Sequence, residues 1–288
     1  MAEKLLAARL KDLWRDADQN GLSSAECQAK QTQELDACAK VWTRSLLLPG
    51  EDDIVRSTLL EIGRWRGISD LELVRRRCEN ALHSVKLHWE QTVRQVDRRQ
   101  VETYYDEADD YVEELMWWHT LAEDNSPLAY VSALEFAASV GCKTYLDFGS
   151  GVGSGALLFR NHGFDVTLAD ISTLLLSFCM RRFDERGLAA KFIDLKQEQL
   201  PEAAFDFVTA MDVFEHLVDP TEAVDSLDRS LKPGGYVYGR FAAEQDPERP
   251  QHIVHDFGPV FDRLAVLGFR EVFRDDWLWG HQAFQKTG

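Results

Sequence analysis

Glycine alternates with other residues over Asp147-Phe-Gly149-Ser-Gly151-Val-Gly153-Ser-Gly155. Such a run lets a chain turn through positive φ and lets a ligand approach bare backbone. The spacing Gly151-x-Gly153-x-x-Ala156 also fits the dinucleotide fingerprint, so a nicotinamide dinucleotide stays open as a ligand. Asp170 follows 19 positions after Gly151. A carboxylate there accepts from both hydroxyls of a ribose and favours an unphosphorylated 2′-OH. Asp194 is placed to accept from an exocyclic adenine amine. Further on, Met211-Asp-Val-Phe-Glu215-His216 and Gln251-His252-Ile-Val-His255-Asp256 supply histidines, which titrate near neutrality and suit proton transfer.

These residues need rigid elements to hold them. Short β-prone runs at 144–148, 165–169, 191–194, 205–211 and 235–238 alternate with helical patterns at 154–162, 172–186 and 221–231. That alternation predicts a parallel sheet covered on both faces. A helix over 257–267 and a closing hairpin, 269–273 with 281–284, follow, with Trp277 and Trp279 expected to cap the core. The first 140 residues read as helical throughout, beginning with Leu5, Leu6, Leu10, Leu13 and Trp14 at helical spacing, in a segment that reads as a surface helix. Ser69 is the expected cap of a helix running toward residue 100, and Arg75, Arg76 and Arg77 read as its solvated face. Residues 102–114 hold seven carboxylates, no basic residue and three tyrosines, which predicts either a lid over a pocket or a helix with an acidic outer face. The fold class is therefore α/β, with an all-helical region over 1–125 and a sheet domain over 126–288.

Taken in order, Leu-Asp-x-Gly-x-Gly-x-Gly, the strand-end Asp170, Phe-Asp-x-Val-x-Ala-x-Asp-Val-x-Glu-His and Leu-Lys-Pro-Gly-Gly235 resemble the class I S-adenosylmethionine-dependent methyltransferases. Within these, the chain is most similar to the broad small-molecule group that includes the ubiquinone-biosynthesis-type enzymes. The resemblance covers about residues 140–288. It implies a Rossmann-like, seven-stranded, mostly parallel sheet whose last strand is antiparallel, and S-adenosylmethionine as cofactor. It implies that Gly149, Gly151 and Gly153 cradle the methionine part, with Asp147 bracing the loop or its amino group. Asp170 would hold the ribose and Ile171 would lie against the adenine. Asp194 with Leu195 would frame the adenine edge, and Met211 would line the methionine side. The reaction implied is in-line displacement onto an oxygen or nitrogen of a small molecule, in which alignment and exclusion of water matter most. His216 and His255 are the candidates for a base; Tyr105, Trp118, His119 and His252 are the candidates for acceptor contacts. Ubiquinone-type relatives associate an acid-x-x-Glu-His pattern with a divalent cation, but Asp212-x-x-Glu215-His216 is not diagnostic, and no metal is expected.

Composition narrows the partners. The first hundred residues hold 17 basic and 16 acidic side chains; the remainder hold 15 and 33. An acidic field of that size repels phosphate backbones and anionic lipid, so neither nucleic acid nor a membrane is an expected partner. The acids around Tyr104–Tyr111 suggest that an amine-bearing acceptor would be tolerated. Five widely spaced cysteines without a Cys-x-x-Cys predict reduced, buried thiols, and the interrupted N-terminus predicts no secretion signal, hence a cytoplasmic protein. The helical region is expected to supply a lid, acceptor selection or an oligomer contact, with a homodimer open. A protein or peptide methyltransferase using that region for docking, and a non-catalytic cofactor-binding protein, are the alternatives.

Overall fold

In a computed structural model of the chain, residues 5–241 and 246–288 are described; the Met1-Ala-Glu-Lys4 part of the N-terminal reading lies outside them. Seven strands form one sheet: β1 (Thr144–Phe148), β2 (Asp165–Asp170), β3 (Lys191–Asp194), β4 (Phe205–Ala210), β5 (Leu231–Gly239), β6 (Phe269–Arg274) and β7 (Gln282–Lys286). Their order is β3-β2-β1-β4-β5-β7-β6. The first five strands run parallel, and β7 enters antiparallel between β5 and β6. The expected Rossmann-like sheet is therefore present. Strand β5 begins at Leu231, four residues before the predicted run, because the Leu-Lys-Pro-Gly-Gly segment already pairs through Leu231 with Phe205, across a register shift.

Alternate residues of each strand feed opposite faces. Tyr145, Val166, Leu168, Phe207 and Tyr238 pack under α8 (Ala129–Ser139), α9 (Ser154–Asn161) and α10 (Thr173–Glu185). Leu146, Phe148, Val208 and Val237 pack with α11 (Pro220–Ser230) and α12 (Gly258–Val266) on the other face. The register aligns Asp147 with Leu168 and Thr209, and Asp170 with Asp194, so the carboxyl ends of four strands share one edge.

Among the described residues, seven helices precede α8: α1 (Leu6–Arg15), α2 (Ala17–Asn20), α3 (Ser24–Leu46), α4 (Ile54–Arg66), α5 (Leu71–Thr92), α6 (Arg98–Glu107) and α7 (Tyr111–Thr120). Ser23 and Glu26 form a capping box on α3. The cap of α5 is Asp70 rather than Ser69: its Oδ1 accepts from the amides of Glu72 at 3.0 Å and Leu73 at 3.3 Å, which a carboxylate does best. That helix also stops at Thr92 instead of running on to residue 100, and Asp97 caps a new one. The helical region does not core itself separately. Leu5, Leu6, Leu10, Trp42 and Leu46 join the sheet's own cluster, and Trp42 stacks on Tyr130 at 5.6 Å between centroids. A second cluster unites α4–α7 with Val152, Leu175 and Phe178.

Three expectations need correction. Arg77 is not merely solvated: it donates to Asp110 at 2.7 Å and to the fully buried Glu113 at 3.0 Å, which Arg66 also holds at 2.6 Å. Five of the seven acids of 102–114 stand in ion pairs, Asp106 with Lys196 and Glu114 with Arg249 among them. Trp277 does not cap the core and is 44% exposed. Asp275 takes the amides of Trp277, Leu278 and Trp279, a turn that sends Leu278 and Trp279 inward and Trp277 out.

Candidate functional site

The edge formed by the carboxyl ends of β1, β2 and β4 opens on a cavity enclosing about 850 Å³, mouth included. Its floor is the glycine loop. Gly149, Gly151 and Gly153 have φ of +67°, +52° and +71°. A side chain at Gly149 would strike Val213 at 2.6 Å, and one at Gly153 would strike Cys179 and Leu168 at 2.9 Å. Gly151 lies beneath Leu115 of α7, which a Cβ there would meet at 3.0 Å. Glycine is therefore required both by dihedral and by space.

Asp170 holds that loop as well as facing the cavity. Its Oδ2 accepts from the Gly151 amide and its Oδ1 from the Ser172 amide, both at 2.9 Å. Burial pushes its carboxyl up to about 6, against the pull of these amides. A carboxylate has about four acceptor positions, so two hydroxyl donors still fit. Asp147 stands below, fully buried; its Oδ1 accepts from Thr209 Oγ1 at 3.1 Å, while its Oδ2 has no partner. Burial raises this carboxyl to about 7. It does not line the cavity, so bracing the loop is what its position permits.

The cavity wall brings together Gly149, Gly151, Asp170, Ile171, Leu195, Met211, His216, Tyr105, Trp118 and His119 from the sequence-derived set. Gly153, Asp194, His252 and His255 are not in it. Gly153 is the cap of α9, one step past the ligand-facing turn. Asp194 spends its carboxylate on the Lys196 amide at 3.0 Å and on Gln197 Nε2 at 2.6 Å, leaving the neighbouring Leu195 to face inward. Ile253 and Val254 donate to the Glu215 carbonyl at 2.7 and 3.0 Å. That pinning brings His252 against His216, with ring centroids 4.7 Å apart, and carries His255 to the exposed surface.

His216 Nδ1 lies 2.9 Å from the Tyr105 hydroxyl and 3.2 Å from the Gln251 carbonyl. A carbonyl only accepts, so Nδ1 carries the proton and Nε2 the lone pair. Burial, then His252, depresses His216 to about 3, and burial depresses His119 to a similar value. A histidine held neutral that firmly is a weak proton acceptor. Glu215, His216 and His252 place one ligand atom each within 4.8 Å of one another, a grouping able to hold a divalent ion. Glu215 Oε2 has no partner, and burial with Asp212 nearby pushes that carboxyl up to about 8.

Several contributors escape a reading of letters alone. Tyr111, Leu115, Tyr130, Asp212 and Val213 line the cavity. Arg182, 1% exposed, donates to the Val152 carbonyl at 2.6 Å and to Ser154 Oγ at 3.0 Å, fixing the loop from behind. Its counter-ion is the buried Glu61 of α4, at 3.1 Å. Ser154 Oγ also meets His119 Nδ1 at 3.0 Å. Asp212 gave a local signal as the first acid of Asp-x-x-Glu-His, and Tyr111 gave one within the lid candidate of 102–114; Glu61 and Arg182 are 121 residues apart.

Comparison with known proteins adds the following. Residues 146–239 match the family described as a methyltransferase domain. The ubiquinone biosynthesis O-methyltransferase of Pseudomonas paraeruginosa is 31% identical over 130 residues, which is 42% of this chain and 56% of that protein. The demethylmenaquinone methyltransferase of Thermus thermophilus is 33% identical over 107 residues, 36% of this chain and 49% of that one. The chain thus spans about half the length of these curated relatives. Magnesium protoporphyrin IX methyltransferase of Synechocystis PCC 6803, solved with bound S-adenosylmethionine, superposes with a TM-score of 0.51 at 18% identity, over 68% of this chain and all of that one. A [4+2]-cyclase superposes with a TM-score of 0.50 at 21% identity, over 61% of this chain and 73% of that one. At these identities the structures share a fold; their differing names show that the fold alone does not set the reaction.

Proposed function

We propose that this chain, whose residues 146–239 match a methyltransferase-domain family, is a class I S-adenosylmethionine-dependent enzyme that transfers a methyl group to an oxygen or nitrogen of a small molecule. The observation that carries the reading is the glycine loop tied at Gly151 to Asp170, opening on a cavity roofed by α6 and α7.

The residues present fit the cofactor. Gly149 and Gly151 present bare backbone to the cavity, as a cradle for its methionine part needs, and a side chain at either would strike Val213 or Leu115. Asp170 retains acceptor capacity for the ribose hydroxyls, and Ile171 and Leu195 offer apolar surface to a flat base. When bound, the cofactor supplies an electrophilic methyl on a sulfonium. The chain's own part is alignment and exclusion of water. Tyr105, Tyr111 and Leu115 cover the loop from above, and His216 holds the Tyr105 hydroxyl in place. A cavity covered by Tyr105, Tyr111 and Leu115 accords with a small-molecule acceptor. Five free, buried thiols accord with a reducing compartment, which supports a cytoplasmic setting.

Calorimetry comparing S-adenosylhomocysteine with NAD tests this reading. One-site binding of S-adenosylhomocysteine and no heat from NAD are expected. Binding of NAD instead would return the loop to its dinucleotide reading.

A further inference from the structure

We propose that the methyl acceptor is an amine whose nitrogen is received by Asp212 within a wall of aromatic rings; this rests on the methyl-transfer reading above. The charge of the cavity wall is the starting point. Among the described residues, its lining holds two carboxylates, Asp170 and Asp212, and no lysine or arginine. Asp170 belongs to the loop, since both its oxygens accept loop or turn amides. Asp212 has no such duty. It follows Met211 directly beyond β4, in the left-handed region at φ +52°. A non-glycine residue held there marks a conformation imposed by its surroundings, and aspartate is among the side chains that tolerate it. Its Oδ1 is ion-paired with Arg240 Nη1 at 3.3 Å, while its Oδ2 has no hydrogen-bond donor among the described residues. Arg240 itself is not part of the wall.

Tyr105, Tyr111, Trp118 and Tyr130 line the same cavity. The polar ends of two of them are occupied: Trp118 Nε1 donates to Asp124 at 3.0 Å, and the Tyr105 hydroxyl meets His216. What Tyr105 and Trp118 leave to a ligand is ring surface, which attracts organic cations. An anionic acceptor would find no cation in the wall, and a neutral alcohol would forgo the charge of Asp212. None of the acids of 102–114 lines the cavity, so they are not the source of the preference.

The step balances without a further reagent. The ammonium loses one proton to bulk water, and the nitrogen lone pair then forms the new N–C bond. The C–S bond breaks with its electron pair left on sulfur, giving a thioether and a protonated secondary amine.

The test uses the full chain saturated with S-adenosylhomocysteine and titrated with benzylamine, benzyl alcohol or benzoate. Benzylamine should bind at least tenfold more tightly than either analogue. Asp212→Asn, which keeps a side chain tolerant of positive φ, should erase that preference, with S-adenosylhomocysteine affinity measured in parallel to verify the fold. Trp118→Leu should weaken benzylamine tenfold and provides a second variant should the first not fold. Equal or tighter binding of the alcohol or of benzoate, failure of all three to bind, or an unchanged preference in Asp212→Asn would overturn the amine assignment. Failure of S-adenosylhomocysteine itself to bind would instead strike the methyl-transfer reading.

Discussion

Asp170 joins two functions at one side chain: it ties down the loop amide of Gly151 and faces the space assigned to a ribose. Replacing it with alanine should weaken S-adenosylhomocysteine by about 1–3 kcal/mol, the cost of leaving hydrogen-bonding groups unpaired; calorimetry reads this directly. Its carboxyl is raised by burial to about 6, and only the ionised form accepts from two hydroxyls. Affinity should therefore fall as the pH drops through about 6, and Asp170→Asn should flatten that dependence. Stability runs the other way. Asp147 and Asp170 hold protons more tightly in the fold than their ordinary value of 3.8 would allow, up to about 7 for Asp147. The unfolded chain releases those protons first, so these two carboxyls contribute a loss of stability as the pH rises from about 4 to about 7, opposed by the buried neutral His119 and His216, whose contribution grows over the same window. The Tm of Asp147→Asn relative to the parent should therefore rise with pH across that window.

At the scale of elements, what could be read in the letters was what is local. The strands, the glycine turn and the strand-end Asp170 are written in short stretches, and the structure places them as expected. Asp194 stands outside the cavity lining, since position at a strand end does not say which way a carboxylate turns; here the Lys196 amide and Gln197 claim it. The roof over the loop was half legible: the tyrosines of 102–114 were visible as a lid candidate, but Leu115 above Gly151 was not. The pairing of Glu61 on α4 with Arg182 on α10 lies beyond any local pattern, because only tertiary folding brings the two helices together. Glu61 also holds Arg186 at 2.5 Å, so it is the single buried anion for two guanidiniums. Glu61→Gln should cost about 3–5 kcal/mol in urea unfolding, since it leaves buried cations uncompensated. Because Arg182 carries the Val152 carbonyl, the same variant should bind S-adenosylhomocysteine more weakly even where it remains folded.

Across the whole molecule, the helical region and the sheet share one interior. Trp42 Nε1 donates to the His119 carbonyl at 2.9 Å, Arg186 reaches the Leu46 carbonyl at 2.5 Å, and Leu5, Leu6 and Leu10 pack in the cluster that covers the sheet. We read the boundary near residue 125 as a change of architecture rather than a point of independent folding. A fragment of residues 126–288 should be insoluble or lack a cooperative melt by circular dichroism, because the apolar faces of α8 and α9 would meet water. The acidic balance after residue 100, 33 against 15, said little about the ligand because few of those acids face the cavity.

One titration bears on all of this: S-adenosylhomocysteine against the full chain and against Gly151→Val, with unfolding of both followed in parallel. A single site in the parent, lost in a variant that still melts cooperatively, is the result predicted. Unchanged affinity in that variant, or no binding to the parent, would contradict the account.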